Sequence, residues 1–381
     1  MKNIVICFDG TWNTADAEFP TNVVKTAQMV LPADSQGVTQ LVFYDEGVGS
    51  TEVAFGNTIN RILGGAFGAG LMENIEKAYR FLIFNYEPGD RIFIFGFSRG
   101  AFSARSFGGL LRTCGILRKD RVRSIKDAIS LYQSRNREAG ADAAPCVQLR
   151  REHSFASHSG GEGAARNQHP LSIEYIGIWD TVGALGVPTG LFFANRFNRK
   201  YQFHDLALSS MVKSARHALS IDERRRTFAP TPWTNLGELN SLAGSSSRNT
   251  PQYEQAWFPG DHASIGGGGT VNGLWQAALV WVVEGALSCG LSIDESKLDA
   301  YRKGIDHKAS VYSAPDAGFS LSSISLRGWR IGPAGEAFAE VSEVGQQRLR
   351  APATDLYEKQ LYRSAPLRAY IHAFGNKLGV S

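Results

Sequence analysis

The sequence predicts an α/β protein with a mostly parallel central sheet and helices on both faces. Two observations carry this. Strand-length apolar runs at Asn3–Phe8, Gln40–Tyr44, Arg91–Gly96 and Ile173–Trp179 alternate with segments of helical periodicity. Such alternation builds parallel sheets through helical crossovers. The run Arg91–Gly96 is also almost continuously apolar, as a central strand covered on both faces must be. With 381 residues, 43% of them hydrophobic, the chain can form a large packed core.

The elements follow in order. Asn3–Phe8 ends in Asp9-Gly10, a strand entering a turn. Residues 21–31 have spaced apolar positions and stop at Pro32, as a helix does. Gln40–Tyr44 is the next strand. Gly64–Gly70 reads as a flexible connection. Leu71, Ile75, Ala78, Tyr79 and Leu82 then recur at steps of three and four, giving a helix with one apolar face. Glu87-Pro88-Gly89-Asp90 ends it before the strand Arg91–Gly96. Ala101–Leu117 is helix-competent, and Ser124–Arg137 reads as an amphipathic surface helix. Ala139–Pro170, rich in Gly, Ala, Ser and His, reads as a long loop. Ile173–Trp179 is a strand ending at Asp180, and a helix-like region carries His204 and His217. Tyr253–Phe258 is the last strand, followed by four glycines at 266–269 and a buried helix at Leu274–Leu287. The last 65 or so residues show little periodicity. The expected organisation is a catalytic unit over 1–300, with an insertion at about 118–170, and an extension over 301–381 packed on or near it.

Composition excludes several classes. Forty basic against 36 acidic residues give a net charge of +4, too small to imply nucleic-acid binding. No sustained basic stripe or base-stacking motif is present. The four cysteines, Cys7, Cys114, Cys146 and Cys289, have no C-x-x-C spacing and read as small core residues of a reducing compartment. The apolar start, Ile4 to Phe8, is shorter than a signal-peptide core, and no run reaches membrane-spanning length. The expectation is a cytoplasmic protein as synthesised, exported, if at all, without a cleavable signal.

The strongest chemical signal is Gly96-Phe97-Ser98-Arg99-Gly100, with a strand before it and a helix after it. This is the context a G-x-S-x-G nucleophile elbow requires. The serine sits on a tight turn, and glycines two residues away avoid collision with neighbouring backbone. A serine hydroxyl needs a base, and the base an orienting acid. In the α/β-hydrolase order the acid precedes the histidine. Asp180, at a strand end, is the candidate acid, with Asp222 in reserve. Among eight histidines, His262 follows the last strand and is the candidate base, with His217 as runner-up. Two backbone N–H groups must hold the oxyanion; Arg99 and the Gly10-Thr11 segment are the candidates. The chemistry requires no metal or cofactor; Asp45-Glu46 and Asp9 could gather a cation, but a lone acidic pair is usually solvated.

These blocks together resemble an uncharacterised α/β-hydrolase family that includes the catalytic domains of type VI secretion phospholipase effectors. The residues concerned are Phe8–Asn13, Gly96–Arg105, Ile178–Gly183, Arg216–Arg225 and Trp257–His262. The resemblance implies an α/β-hydrolase fold and a Ser98–Asp180–His262 triad. It also implies an ester substrate of phospholipid type, transient contact with a membrane surface, and a secretion-system component as partner. One block departs from the family pattern: His262-Ala263-Ser264-Ile265 lacks the usual downstream acid, and Asp261 precedes the histidine instead. A second reading follows from that departure, an interaction module on a hydrolase fold with reduced or lost catalysis.

Overall fold

The computed structural model describes residues 1–10, 13–47, 66–134, 140–158, 168–182, 206–225, 228–244, 252–312 and 340–380. Six strands form the central sheet: β1 (Asn3–Phe8), β2 (Gln40–Asp45), β3 (Arg91–Phe97), β7 (Tyr175–Trp179), β8 (Ala215–Ser220) and β9 (Tyr253–Phe258). Their order is β2-β1-β3-β7-β8-β9, and every pairing is parallel. The chain first steps from β1 to β2, then returns to the other side of β1 and continues outward. That reversal opens a crevice between the carboxyl ends of β1 and β3, where ligands of open α/β sheets bind. The architecture is α/β-hydrolase-like.

Strand alternation explains the two cores. Ile4, Ile6 and Phe8 of β1, with Ile92 and Ile94 of β3, join one cluster; Val5, Cys7, Phe93, Phe95 and Phe97 join the other. Successive side chains point to opposite faces, so a strand buried on both sides must be apolar throughout. The first face is covered by α2 (Ala66–Asn85), α3 (Arg99–Cys114) and α4 (Ile125–Ser134). The second is covered by α1 (Asn22–Met29), capped by the Thr21 hydroxyl on the Val24 N–H, and by α8 (Leu274–Ser288).

Several segments differ from the sequence reading. The helix α2 begins at Ala66, inside the glycine-rich stretch expected to be a connection. The stretch 139–170, expected to be a loop, contains α5 (Ala144–His153). It also contributes β5 (Ser154–Ser157) and β6 (His169–Pro170), which join β4 (Ile116–Leu117) in a three-stranded sheet. Its small and polar residues hid this order, because the packing comes from neighbours such as Ile116 and Leu117. His217 lies on strand β8, not on a helix; Ala-Arg-His-Ala-Leu-Ser has no β-branched residue, and the slot between β7 and β9 decides its state. His204 lies outside the described residues. Helix α6 (Leu236–Ala243) precedes β9, and α7 (His262–Gly266) follows it.

The C-terminal part is also ordered where described. It holds α9 (Glu295–Lys303), α10 (Glu343–Arg350) and α11 (Arg368–Leu378). Val341 bridges Trp257 beside the edge strand, and the Ser342 N–H donates to the Trp257 carbonyl at 2.9 Å. Val344, Leu349, Leu356, Leu367, Tyr370 and Phe374 share the core cluster of the second face. Helix α10, Glu-Val-Gly-Gln-Gln-Arg-Leu-Arg, offers only two apolar residues in eight, too few to declare itself by periodicity.

Candidate active site

The register aligns the strand ends. Phe8 lies beside Gly96, and Phe97 beside Trp179, so Gly10, Ser98 and Asp180 leave three neighbouring strands at one edge. Ser98 has φ +58° and ψ −120° and precedes the first residue of α3. A left-handed φ is costly for a residue with a Cβ, and the surroundings enforce it. A Cβ on Gly96 would lie 2.5 Å from the Gly100 carbonyl oxygen. One on Gly100 would be driven into the carbonyl oxygens of Phe8 and Asp9. The two glycines are therefore steric requirements of the turn. The Ser98 N–H donates to the Trp179 carbonyl at 3.0 Å, tying the turn to β7.

Asp180 also has a positive φ, +39°, directly after β7. Its backbone N–H donates to the Ala218 carbonyl at 2.7 Å. Its Oδ1 accepts the Ser220 N–H at 2.9 Å, which leaves Oδ2 facing the imidazole of His262. The distances are 2.6 Å from Asp180 Oδ2 to His262 Nδ1 and 2.7 Å from His262 Nε2 to Ser98 Oγ. All three side chains are buried, with relative exposures of 0% for Asp180, 5% for His262 and 6% for Ser98. Three residues separated by 82 and 164 positions thus form one hydrogen-bonded row.

His262 opens α7. Asp261 caps this short helix by accepting the Ser264 N–H at 2.8 Å. The displaced acid of the sequence block therefore has a structural task. The imidazole is held between two aromatic rings, Phe97 at 4.7 Å and Phe228 at 4.8 Å between centroids. Phe97 in turn needs Gly266, whose Cβ would enter its ring. Sequence reasoning missed Glu223, a buried carboxylate that accepts the His262 N–H at 3.4 Å and pairs with Arg225 at 2.7 Å. Burial would raise its pKa, but the bonds and charge of Arg225 prevail and hold it below the usual value. The only signal was its place in the Ser-Ile-Asp-Glu block.

The remaining candidates separate. Asp222, the reserve acid, makes no bond to the imidazole. Its Oδ2 accepts the Gly260 N–H at 2.8 Å and the Tyr362 hydroxyl at 2.6 Å, and burial pushes its carboxyl up to about 6. His217, the runner-up base, is fully buried on β8, where its Nε2 accepts the Thr181 N–H at 3.2 Å and its ring meets Trp233. Arg99 is the first helical residue after Ser98, and burial lowers its guanidinium to about 10. Gly10 backs onto the Phe97–Ser98 segment, but its N–H donates to Asp9 Oδ1 at 2.6 Å. Thr11 lies outside the described residues. Asp9 is not a solvated acid. It is 4% exposed, accepts the hydroxyls of Thr21 (2.7 Å) and Tyr44 (2.8 Å), and is pushed up to about 6 by burial. Among the described residues no cluster of three or more His, Cys, Asp or Glu is gathered as a metal site would need.

Comparison with known proteins adds a family. The model of the type VI secretion (T6SS) phospholipase effector Tle1-like catalytic domain matches residues 2–285. The chain belongs to that family. It is also similar to the uncharacterized protein YEL023C of Saccharomyces cerevisiae, 30% identical over 253 residues. That match covers 63% of this chain and 34% of the yeast protein, so the chain spans about a third of that relative's length. Two solved structures are similar. One is an uncharacterized protein from Pseudomonas aeruginosa, with TM-score 0.41 and 17% identity, covering 78% of this chain and 48% of that one. The other is the Tle1 effector bound to the VgrG spike of the type VI secretion system, with TM-score 0.37 and 19% identity, covering 70% and 51%. Among the described residues of this Tle1-like chain, no helix is long and apolar enough to cross a membrane.

Proposed function

We propose that the protein is a serine esterase of lipid-like carboxylic esters, phospholipids in particular, working through an acyl-enzyme on Ser98. The observation that carries this is the buried row Ser98 Oγ–His262 Nε2 and His262 Nδ1–Asp180 Oδ2 at 2.7 and 2.6 Å. In this reading Ser98 Oγ attacks the ester carbonyl carbon and its proton passes to His262 Nε2. Asp180 fixes the tautomer and stabilises the imidazolium. The tetrahedral intermediate collapses, and the alkoxide leaves with the proton from Nε2. Water, deprotonated by the same nitrogen, then releases the acid. The Arg99 N–H at the start of α3 supplies one oxyanion donor, and the segment Gly10-Thr11 the other. For Gly10 this requires its N–H to leave Asp9 Oδ1. The family supports a phospholipid substrate, an effector role, and export by a secretion system that reads no signal peptide. A component of that system and, transiently, a membrane surface are then the partners.

The test is labelling with a fluorophosphonate probe, together with turnover of p-nitrophenyl esters and phospholipid vesicles. The expected outcome is stoichiometric labelling at Ser98, abolished by Ser98→Ala. Asp180→Asn should lower kcat by roughly 10⁴, since the base then holds the wrong tautomer. An unlabelled wild-type chain would favour the interaction module without catalysis.

A further inference from the structure

His262 opens a helix of only five residues, too short to hold itself in place. The position of the imidazole therefore depends on what fixes the turn Pro259-Gly260-Asp261. Gly260 has φ +124°. Its carbonyl accepts the Asp222 N–H at 3.1 Å and the Ser220 hydroxyl at 2.8 Å. Its N–H donates to Asp222 Oδ2, the same oxygen that accepts the Tyr362 hydroxyl. On the other side, the Asp261 N–H donates to the Val311 carbonyl at 2.7 Å, and the Val311 N–H donates to Glu358 Oε1 at 2.9 Å. Glu358 pairs with Arg348, whose guanidinium also serves the carbonyls of His307 and Ala309. Two bonded paths thus run from residues 340–380 to the two peptides that precede the imidazole. Those residues lie beyond the stretch matched by the family model, which ends at 285.

We infer that the segment 340–380 is part of the active site, with Tyr362 as a positioning residue that holds His262 through Asp222 and Gly260. The inference rests on the triad reading above. Asp222 is 2% exposed. Removing the Tyr362 hydroxyl strips a buried carboxylate of one of its donors, and a buried acceptor left short relaxes toward whatever donor it can reach. The turn carrying His262 moves with it. Misplacement of a base by about 1 Å can cost as much as a hundredfold in rate.

The experiment measures fluorophosphonate labelling of Ser98 against probe concentration, with melting temperature alongside. Tyr362→Phe keeps the ring in its slot. Its maximal labelling rate is expected to fall roughly tenfold, while the half-saturating probe concentration stays within about twofold. Tyr370→Phe, a buried tyrosine of the same segment packed on Phe374, should label at the wild-type rate. Asp222→Asn should slow labelling likewise and combine non-additively with Tyr362→Phe; it carries the test if the tyrosine variant is not recovered folded. Unchanged labelling in Tyr362→Phe, or an equal loss in Tyr370→Phe, would overturn the inference. An unlabelled wild-type chain would remove the triad reading itself, and this inference with it.

Discussion

Asp9 is the residue whose charge state most repays attention, because it sits one peptide from Gly10 at the crevice. Burial pushes its carboxyl up to about 6, against the pull of Thr21, Tyr44, Gly10 and Lys25. An unfolded carboxyl titrates near 4. A raised carboxyl contributes stability that is present below about pH 4 and is lost as pH rises through 6. Asp9→Asn removes that slope. Relative to the wild type, it should therefore gain about 2 kcal/mol between pH 4.5 and pH 7, read from urea midpoints at both values. Asp45 and Asp222, also pushed up to about 6, are common to both proteins and cancel. Lys25, lowered to about 8 by burial, titrates above that window. Parallel pH curves would show that Asp9 ionises normally in the fold.

At the scale of an element, two of the three glycines of α3 have opposite meanings. Gly100 faces the carboxyl end of β1, where a Cβ would strike two carbonyl oxygens. Gly108 faces Ile173 and Ile176, and a Cβ there would sit 3.6 Å from each Cδ1, an ordinary contact. Gly100→Ala should lose about 3 kcal/mol or more, since backbone cannot yield as a side chain can. Gly108→Ala should gain up to about 1 kcal/mol from helix propensity. Thermal melts of the two variants decide it, and equal effects would contradict the tight approach of α3 to β1. Only the first glycine belongs to a recognisable motif, so the sequence distinguishes them by pattern and the structure by contact.

At the scale of the whole molecule, the second face of the sheet is covered jointly by α1, α8 and residues 340–380. A division at residue 300 would cut through that core. The fragment 1–300 is therefore expected to aggregate or to be protease-sensitive, with Trp257, Phe258 and Val280 losing neighbours such as Val341 and Val344. A large apolar face laid open costs about 25 cal/mol per Å². A soluble fragment with a cooperative melt would show instead that 301–381 is dispensable for folding.

The alternation of apolar runs determined the α/β class, because period-two burial on both faces of a parallel strand is written locally. The tight turn at Ser98 was equally legible, since its glycines are a steric demand within five residues. The four cysteines, read as core residues, are buried. Only the tertiary structure decided which of eight histidines reaches Ser98, that His217 lies in a strand, and that Asp222 serves a turn. The elements in the described parts of 139–170 and the packing of residues 340–380 on the second face were also its to decide. The physical reason is range: hydrophobic periodicity acts between neighbours a few residues apart. A hydrogen bond between positions 98 and 262, or 222 and 362, exists only once the sheet has brought their carriers together.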